Sequence, residues 1–153
     1  MINCALFEPD IPQNTGAILR LGACFGVPVH VIHPSGFALS DRNLRRAGMD
    51  YLDRATLCEH ADWAGFRSWV ETSGRRLLAL STRGDTPLHA HAFRRDDILL
   101  LGRESAGLPE PVLACADQVL RIPIRGGNRS LNVAVAAAIA LMEALRQTAQ
   151  LPP

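Results

Sequence analysis

Residues 122–133 read Ile122-Pro-Ile-Arg-Gly-Gly-Asn-Arg-Ser-Leu-Asn-Val133. A short apolar strand runs into a Gly-Gly loop, and an unusually apolar helix follows over Leu131 to Gln147. Ser130 stands at the predicted N-cap, because a serine hydroxyl satisfies backbone donors that the first helical turn leaves free. The same arrangement turns N–H groups and a loop outward, toward a ligand. Strand, loop, then helix is one step of an alternation that recurs upstream and decides the fold.

Working back along the chain, Val119 to Ile124 is the strand that feeds this loop. Ile98 to Leu101 and Leu77 to Ser81 are short apolar runs without alternation, as in parallel strands covered on both faces. Asn3 to Phe7 reads as a first buried strand, bounded by Pro9 and Pro12, and Val29 to Ile32 as a second. Between them a helix is predicted from Asn14 to about Phe25, with Gly26 as its stop. Ser40 caps a short basic helix, Asp41 to Ala47, that Gly48 ends. A weaker strand near Ala55 to Cys58 precedes a helix from about Trp63 to Thr72. Strands alternating with helices predict an α/β fold with a mostly parallel sheet. No internal repeat, low-complexity tract or linker interrupts it, so residues 1–153 are expected to form one domain.

A chain of 153 residues that is 48% hydrophobic has a mean hydropathy of +0.07, as an ordinary folded protein does. No charged segment precedes an apolar one at the N-terminus, so no signal peptide is expected. The most apolar run, Val133 to Met142, is far shorter than the roughly 20 residues that span a bilayer. Cys4, Cys24, Cys58 and Cys115 are scattered without a C-x-x-C pair, which predicts reduced thiols, a cytoplasmic location and no thiolate metal site. All 16 basic residues are arginine. Without lysine, a P-loop lysine, a pyridoxal Schiff base and a Ser-Lys dyad are excluded. A net charge of +1 exerts no global pull on nucleic acid, so any RNA contact must come from local clusters.

Ligands in open α/β sheets bind beyond the carboxyl ends of the strands. Thr82-Arg-Gly84, Gly102 to Leu108 and Arg125 to Asn132 fall there, and all carry glycine. No G-x-G-x-x-G follows a strand, which disfavours a nicotinamide or flavin enzyme. Gly102-Arg-Glu-Ser105-Ala-Gly107 has Arg103 where a nucleophile elbow needs glycine. His30 and His33 are placed on opposite faces of one strand, and His89-Ala-His91 lacks a nearby acidic residue in sequence, so packed or solvated histidines are expected rather than metal ligands. Arg42, Arg45, Arg46 and Arg54 form either a solvated face or a phosphate-contacting patch that Arg121, Arg125 and Arg129 could extend. Tyr51 and Trp63 are either base-stacking or core residues. Arg20 is either an ordinary exposed helical arginine or, less than two turns after Asn14, a functional one.

Pro12-x-Asn14-x-Gly16-x-x-x-Arg20, Gly102-x-Glu104-x-x-Gly107-Leu108, and Ile122-Pro-Ile124 followed by Ser130-Leu-Asn132 resemble the three signature motifs of the SPOUT RNA methyltransferases, in order and spacing. The resemblance runs over essentially the whole chain. Glu8-Pro-Asp-Ile-Pro12, His33-Pro-Ser-Gly-Phe37 and Leu44-Arg-Arg-Ala-Gly-Met-Asp-Tyr51 bring it nearest to bacterial members that methylate the 2′-hydroxyl of the wobble nucleotide, cytidine or modified uridine, in tRNA. It implies a C-terminal trefoil knot, S-adenosylmethionine as cofactor, the anticodon stem-loop of tRNA as partner, and a homodimer packed partly through the first and last helices. No metal and no membrane partner is implied. Cofactor contacts carried over by motif fall on Leu80, Gly102, Ile122, Ser130 and Leu131. The chemistry falls on Arg20, as stabiliser of developing alkoxide charge or as base, with Asn14 orienting it, Glu104 supporting the cofactor loop or Arg20, and Asn132 completing the polar lining. Two positions depart from the pattern: Arg103 where the family often has proline, and Leu131 where it often has methionine. A 2′-O-methyltransferase for another tRNA or ribosomal RNA position, and a non-catalytic RNA-binding factor, are the alternatives.

Overall fold

Every residue of β1 (Asn3–Phe7) is buried, and the strand's side chains alternate between two apolar layers. Cys4 and Leu6 enter one layer, Ala5 and Phe7 the other. That is why the sequence shows an unbroken apolar run instead of a two-residue alternation. The computed structural model describes residues 1–40 and 42–153, apart from the side chains of residues 43, 48–50 and 52. The sheet has seven strands, all paired in parallel, in the order β3-β2-β1-β6-β4-β7-β5. They are β1, β2 (Val29–Ile32), β3 (Leu57–His60), β4 (Leu77–Leu80), β5 (Thr86–Pro87), β6 (Ile98–Leu101) and β7 (Gln118–Arg121).

Helices cover both faces. On one, α1 (Pro12–Phe25), α2 (Arg42–Gly48) and α5 (Val133–Gln147) contribute Ile18, Leu19, Leu44, Ala137, Leu141 and Leu145 to the core. On the other, α3 (Trp63–Ser73) and α4 (Glu110–Leu113) contribute Phe66, Val70, Val112 and Leu113. Asp62 caps α3 by accepting from Gly65 N–H at 2.8 Å, an arrangement that stabilises a helix by about 1 kcal/mol.

Several bounds differ from the expectation, each for a local reason. α1 begins at Pro12 rather than Asn14, because proline suits the first helical position, where no N–H is needed. The last helix begins at Val133, not Leu131. Asn132 is its N-cap, accepting from Ala134 N–H at 2.9 Å and Val135 N–H at 3.3 Å, and Ser130 lies in the preceding loop. The final strand stops at Arg121, so Ile122 to Ile124 leave the sheet. β3 lies two residues beyond the predicted strand, since a 3-10 turn over Met49–Arg54 occupies the preceding chain and Leu57 pairs with Val29. Of the basic helix, Asp41 lies outside the described residues, and the helix runs Arg42–Gly48. His33 lies past the end of β2, so it shares no strand with His30. β5, the 3-10 turn Leu88–Ala90 and α4 had no counterpart in the sequence reading.

Candidate active site

The carboxyl ends of β4 and β6 and the loops after β6 and β7 surround a cavity of about 600 Å³, within the range of small-molecule sites. Leu80, Gly102, Ile122, Ser130 and Leu131 all line it, as do Asn14, Glu104 and Asn132. Gly102 is required by close packing: a Cβ there would stand 2.6 Å from Leu108 N and collide with Gly107. Arg103 and Gly107 pair across the loop, with the Gly107 N–H donating to Arg103 O at 2.8 Å. The pinch brings backbone to the cavity wall, where a side chain would take ligand space.

A chain of hydrogen bonds ties the start of α1 and the turn before it to the loops after β6 and β7. The Asn14 amide donates to Glu104 Oε1 at 3.2 Å, and Asn132 donates to Asn14 Oδ1 at 3.0 Å. Glu104 Oε2 accepts from Asp10 N–H at 3.0 Å, while Asp10 Oδ1 accepts from Glu104 N–H at 3.1 Å. The Ser105 hydroxyl donates to the other Asp10 oxygen. Arg103 reaches Glu8 at 3.1 Å and lies 3.9 Å from Asp10. Burial, then the neighbouring Asp10 carboxyl, holds the Glu104 carboxyl above its ordinary pKa, against the Asp10 N–H and the Asn14 amide, which favour its charged form. The side-chain contact with Glu104 leads the opposite shift at Asp10, aided by Ser105, the Glu104 N–H and Arg103.

Arg20 is not part of this lining. It follows Asn14 by six residues, about 9 Å of helix rise, and its guanidinium lies 4.9 Å from the ring centre of Tyr51. Asn14 is bonded to Glu104 and Asn132 instead. Arg129 lines the cavity, a place that the sequence offered only within a wider basic patch. Asp10 was missed altogether. Its signal, a carboxylate between two prolines just before the Asn14 helix, is weak because the partner lies 94 residues away. Trp63, partly buried, packs edge-on against Phe7 at 5.7 Å on the side of the second core layer.

The histidines gather elsewhere. His30 Nδ1 lies 2.9 Å from His60 Nε2, and His30 Nε2 lies 2.9 Å from Asn3 Oδ1. Because Asn3 Oδ1 only accepts, neutral His30 carries its proton on Nε2 and accepts from His60. Trp69 and Phe66 cover the pair. His30 is depressed to about 4 by burial, then by His60 and Arg75; His60 is lowered by burial. His33 pairs with Glu59 at 3.0 Å. Among the described residues, no group of three or more His, Cys, Asp or Glu is placed to hold a metal ion, and no helix is long and apolar enough to cross a membrane. Cys4, Cys24, Cys58 and Cys115 are free.

A parallel α/β sheet with this cavity at its carboxyl end places a small-molecule site where open α/β folds carry theirs. The chain belongs to the SpoU rRNA methylase family, whose sequence pattern matches residues 1–142. A tRNA (cytidine(34)-2'-O)-methyltransferase of Beijerinckia indica subsp. indica is 57% identical over 147 residues, 96% of this chain and 92% of the relative. A solved structure concerned with the 2-OH methylation of C/U34 on tRNA superposes with a TM-score of 0.92 at 46% identity, over 96% of this chain and 95% of its own. The SpoU methyltransferase AviRb of Streptomyces viridochromogenes, in complex with AdoMet, is 26% identical with a TM-score of 0.88, covering 95% of this chain and 57% of that one.

The cavity suits that cofactor. Leu80, Leu101, Leu108, Ile122 and Ile124 give it apolar walls for a purine, and the pinched glycine loop leaves room beside them. Ser81, Ser130 and the Glu104 carboxylate supply polar groups for a ribose and a cationic amino-acid tail.

Proposed function

We propose that the chain transfers a methyl group from S-adenosylmethionine to the ribose 2′-hydroxyl of nucleotide 34, the wobble cytidine or modified uridine, in the anticodon loop of tRNA. The observation that carries this reading is the hydrogen-bonded run Glu104–Asn14–Asn132 around a cavity of about 600 Å³, in a chain 57% identical to an enzyme named for that reaction. Leu80, Gly102, Ile122, Ser130 and Leu131 hold the cofactor, whose sulfonium supplies an electrophilic methyl group.

What remains for the protein is alignment of the hydroxyl and management of its charge. Asn14 and Asn132 are fixed by their mutual bond, and Glu104 braces Asn14. Arg20 stabilises the developing alkoxide. A guanidinium has five N–H donors and no acceptor, so it acts by its charge and not as a base.

Arg20 does not line the cavity of its own chain and serves the cavity of a second copy. A homodimer of this kind is supported by an exposed apolar stripe on α5, where Val135, Ile139 and Met142 are 48%, 39% and 47% exposed at i, i+4 and i+7. A groove beside it, formed with Leu88, Ile122 and Pro123, extends the apolar surface. The convergence of the loops after β4, β6 and β7 on one cavity supports a trefoil knot in the C-terminal part. Exposed Arg42, Arg45, Arg46 and Arg54 on and after α2, the helix packed on α1, contact RNA phosphates, with the single domain working in the cytoplasm. The test is transfer of labelled methyl to tRNA lacking the modification, with the product nucleotide identified. Label in a 2′-O-methylated nucleotide 34 is the expected result; cofactor binding with label elsewhere overturns the assignment.

A further inference from the structure

Resting on that reading, we propose that Asp10 is a positioning residue for the transfer: it locks the loop 102–107 onto the start of α1 and so aims the Glu104 carboxylate at Asn14. The lock is reciprocal. Each of Asp10 and Glu104 gives its backbone N–H to the other's carboxylate, at 3.0 and 3.1 Å, although 94 residues separate them. A single bond would leave the loop free to pivot; two in opposite senses fix both its distance and its rotation. Ser105 adds a third tie to the same carboxylate.

The backbone on the Asp10 side is held just as firmly. Glu8 adopts φ of 42°, in the left-handed region that a side chain disfavours. Its carboxylate is held by Arg103 at 3.1 Å, so the strained residue is tied to the same loop. Arg103 also stands beside Asp10, and it fills a position where a proline could make neither contact. The loop that walls the cavity is therefore set by two carboxylates from the β1–α1 turn.

What this setting accomplishes lies one bond further on. Glu104 uses Oε2 for Asp10 N–H and Oε1 for the Asn14 amide, so the orientation chosen by Asp10 is the one that presents Oε1 to Asn14. Asn14 then accepts from Asn132, which caps α5. The charged groups facing Glu104 are Asp10 from the β1–α1 turn and Arg103 from its own loop, with Glu8 behind Arg103 and Arg129 across the cavity. Asp10 raises Glu104's affinity for a proton, and the relay needs Glu104 ionised so that both oxygens accept.

Three variants test this: Asp10→Ala, Asp10→Asn and Asp10→Glu. Asp10→Ala is expected to lower kcat about tenfold, the loss of a charge-assisted hydrogen bond, with KM for tRNA within about twofold of the parent. Asp10→Asn keeps an oxygen for Glu104 N–H but removes the charge. The acid limb of its kcat–pH profile is expected at lower pH than in the parent, which a merely structural tie would not produce. Asp10→Glu restores most of the rate. Parental kcat in Asp10→Ala, or an unmoved acid limb in Asp10→Asn, overturns the assignment. Calorimetric affinity for S-adenosylmethionine, measured without RNA, tests the same lock should the tRNA reading fail. There Asp10→Ala is expected to bind about tenfold more weakly, and unchanged affinity overturns the lock.

Discussion

The Asn3–His30–His60 cluster and the Asp10–Glu104–Asn14–Asn132 cluster have opposite designs. Asn3, His30 and His60 form a neutral chain sealed by Trp69 and Phe66, with His30 only 3% exposed. Asp10, Glu104, Asn14 and Asn132 form a charged chain along an open cavity of about 600 Å³. In the first, burial suppresses ionisation and the hydrogen bonds satisfy each other. In the second, Asn14, Glu104 and Asn132 line the cavity, and their bonds run along its wall. Titratable residues in contact do not by themselves mark a site; the distinguishing feature is whether they border an open cavity or a sealed core.

The strongest way to break this contrast is at Arg20, the charge assigned to the reaction. Arg20→Ala is expected to lower methyl transfer by about 10²–10³-fold, the scale of losing one electrostatic stabiliser, with calorimetric affinity for S-adenosylmethionine unchanged. Turnover near the parent's would remove Arg20 from the reaction. His30→Ala should behave in the reverse manner. It opens a cavity and strands His60 and Asn3, for a loss of about 3 kcal/mol in urea unfolding, while kcat per folded molecule holds.

Acid sharpens the same contrast. His30 is depressed to about 4 from an ordinary 6.5, so the unfolded chain binds its proton more readily. Stability is then full above about pH 6.5 and is lost as pH falls toward 4, by up to roughly 3 kcal/mol. His60 shifts in the same direction. Urea midpoints from pH 7 to pH 4 that fail to fall would show that the pair is not held neutral. The smallest effect belongs to the surface: Arg45→Ala and Arg46→Ala should each reduce the salt dependence of tRNA binding by about 0.7 in log–log slope. Filter binding across salt concentrations measures it, and an unchanged slope would return α2 to an ordinary solvated face.

How much of this could be read in the sequence follows the range of the interactions. β1, β2 and β6 were legible because a strand buried on both faces needs only its own apolar run. Leu80, Gly102 and Ile122 came from the family resemblance, and of the three only Gly102 also fell in a loop past a strand end, where α/β folds put ligands. Ser130 and Asn132 cap helices about equally well, so sequence could not choose between them, and the chain used the later one. α4 was not anticipated: it is a four-residue helix, with Pro109 at its cap and Pro111 in its first turn, too short to show a helical period. Asp10, whose partner lies in another loop, left only the weak signal of a carboxylate between Pro9 and Pro12.

Asn132 does two things at once: it caps α5 through Ala134 and Val135, and it bonds to Asn14 at the cavity wall. The opening turn of the last helix is therefore a gauge of occupancy. A ligand that steadies Asn132 slows deuterium uptake at the Ala134 and Val135 amides, and one that draws its side chain away quickens it. The same two amides also let an inhibitor screen sort compounds by how they engage the wall, with no RNA in the tube and no methyl group transferred.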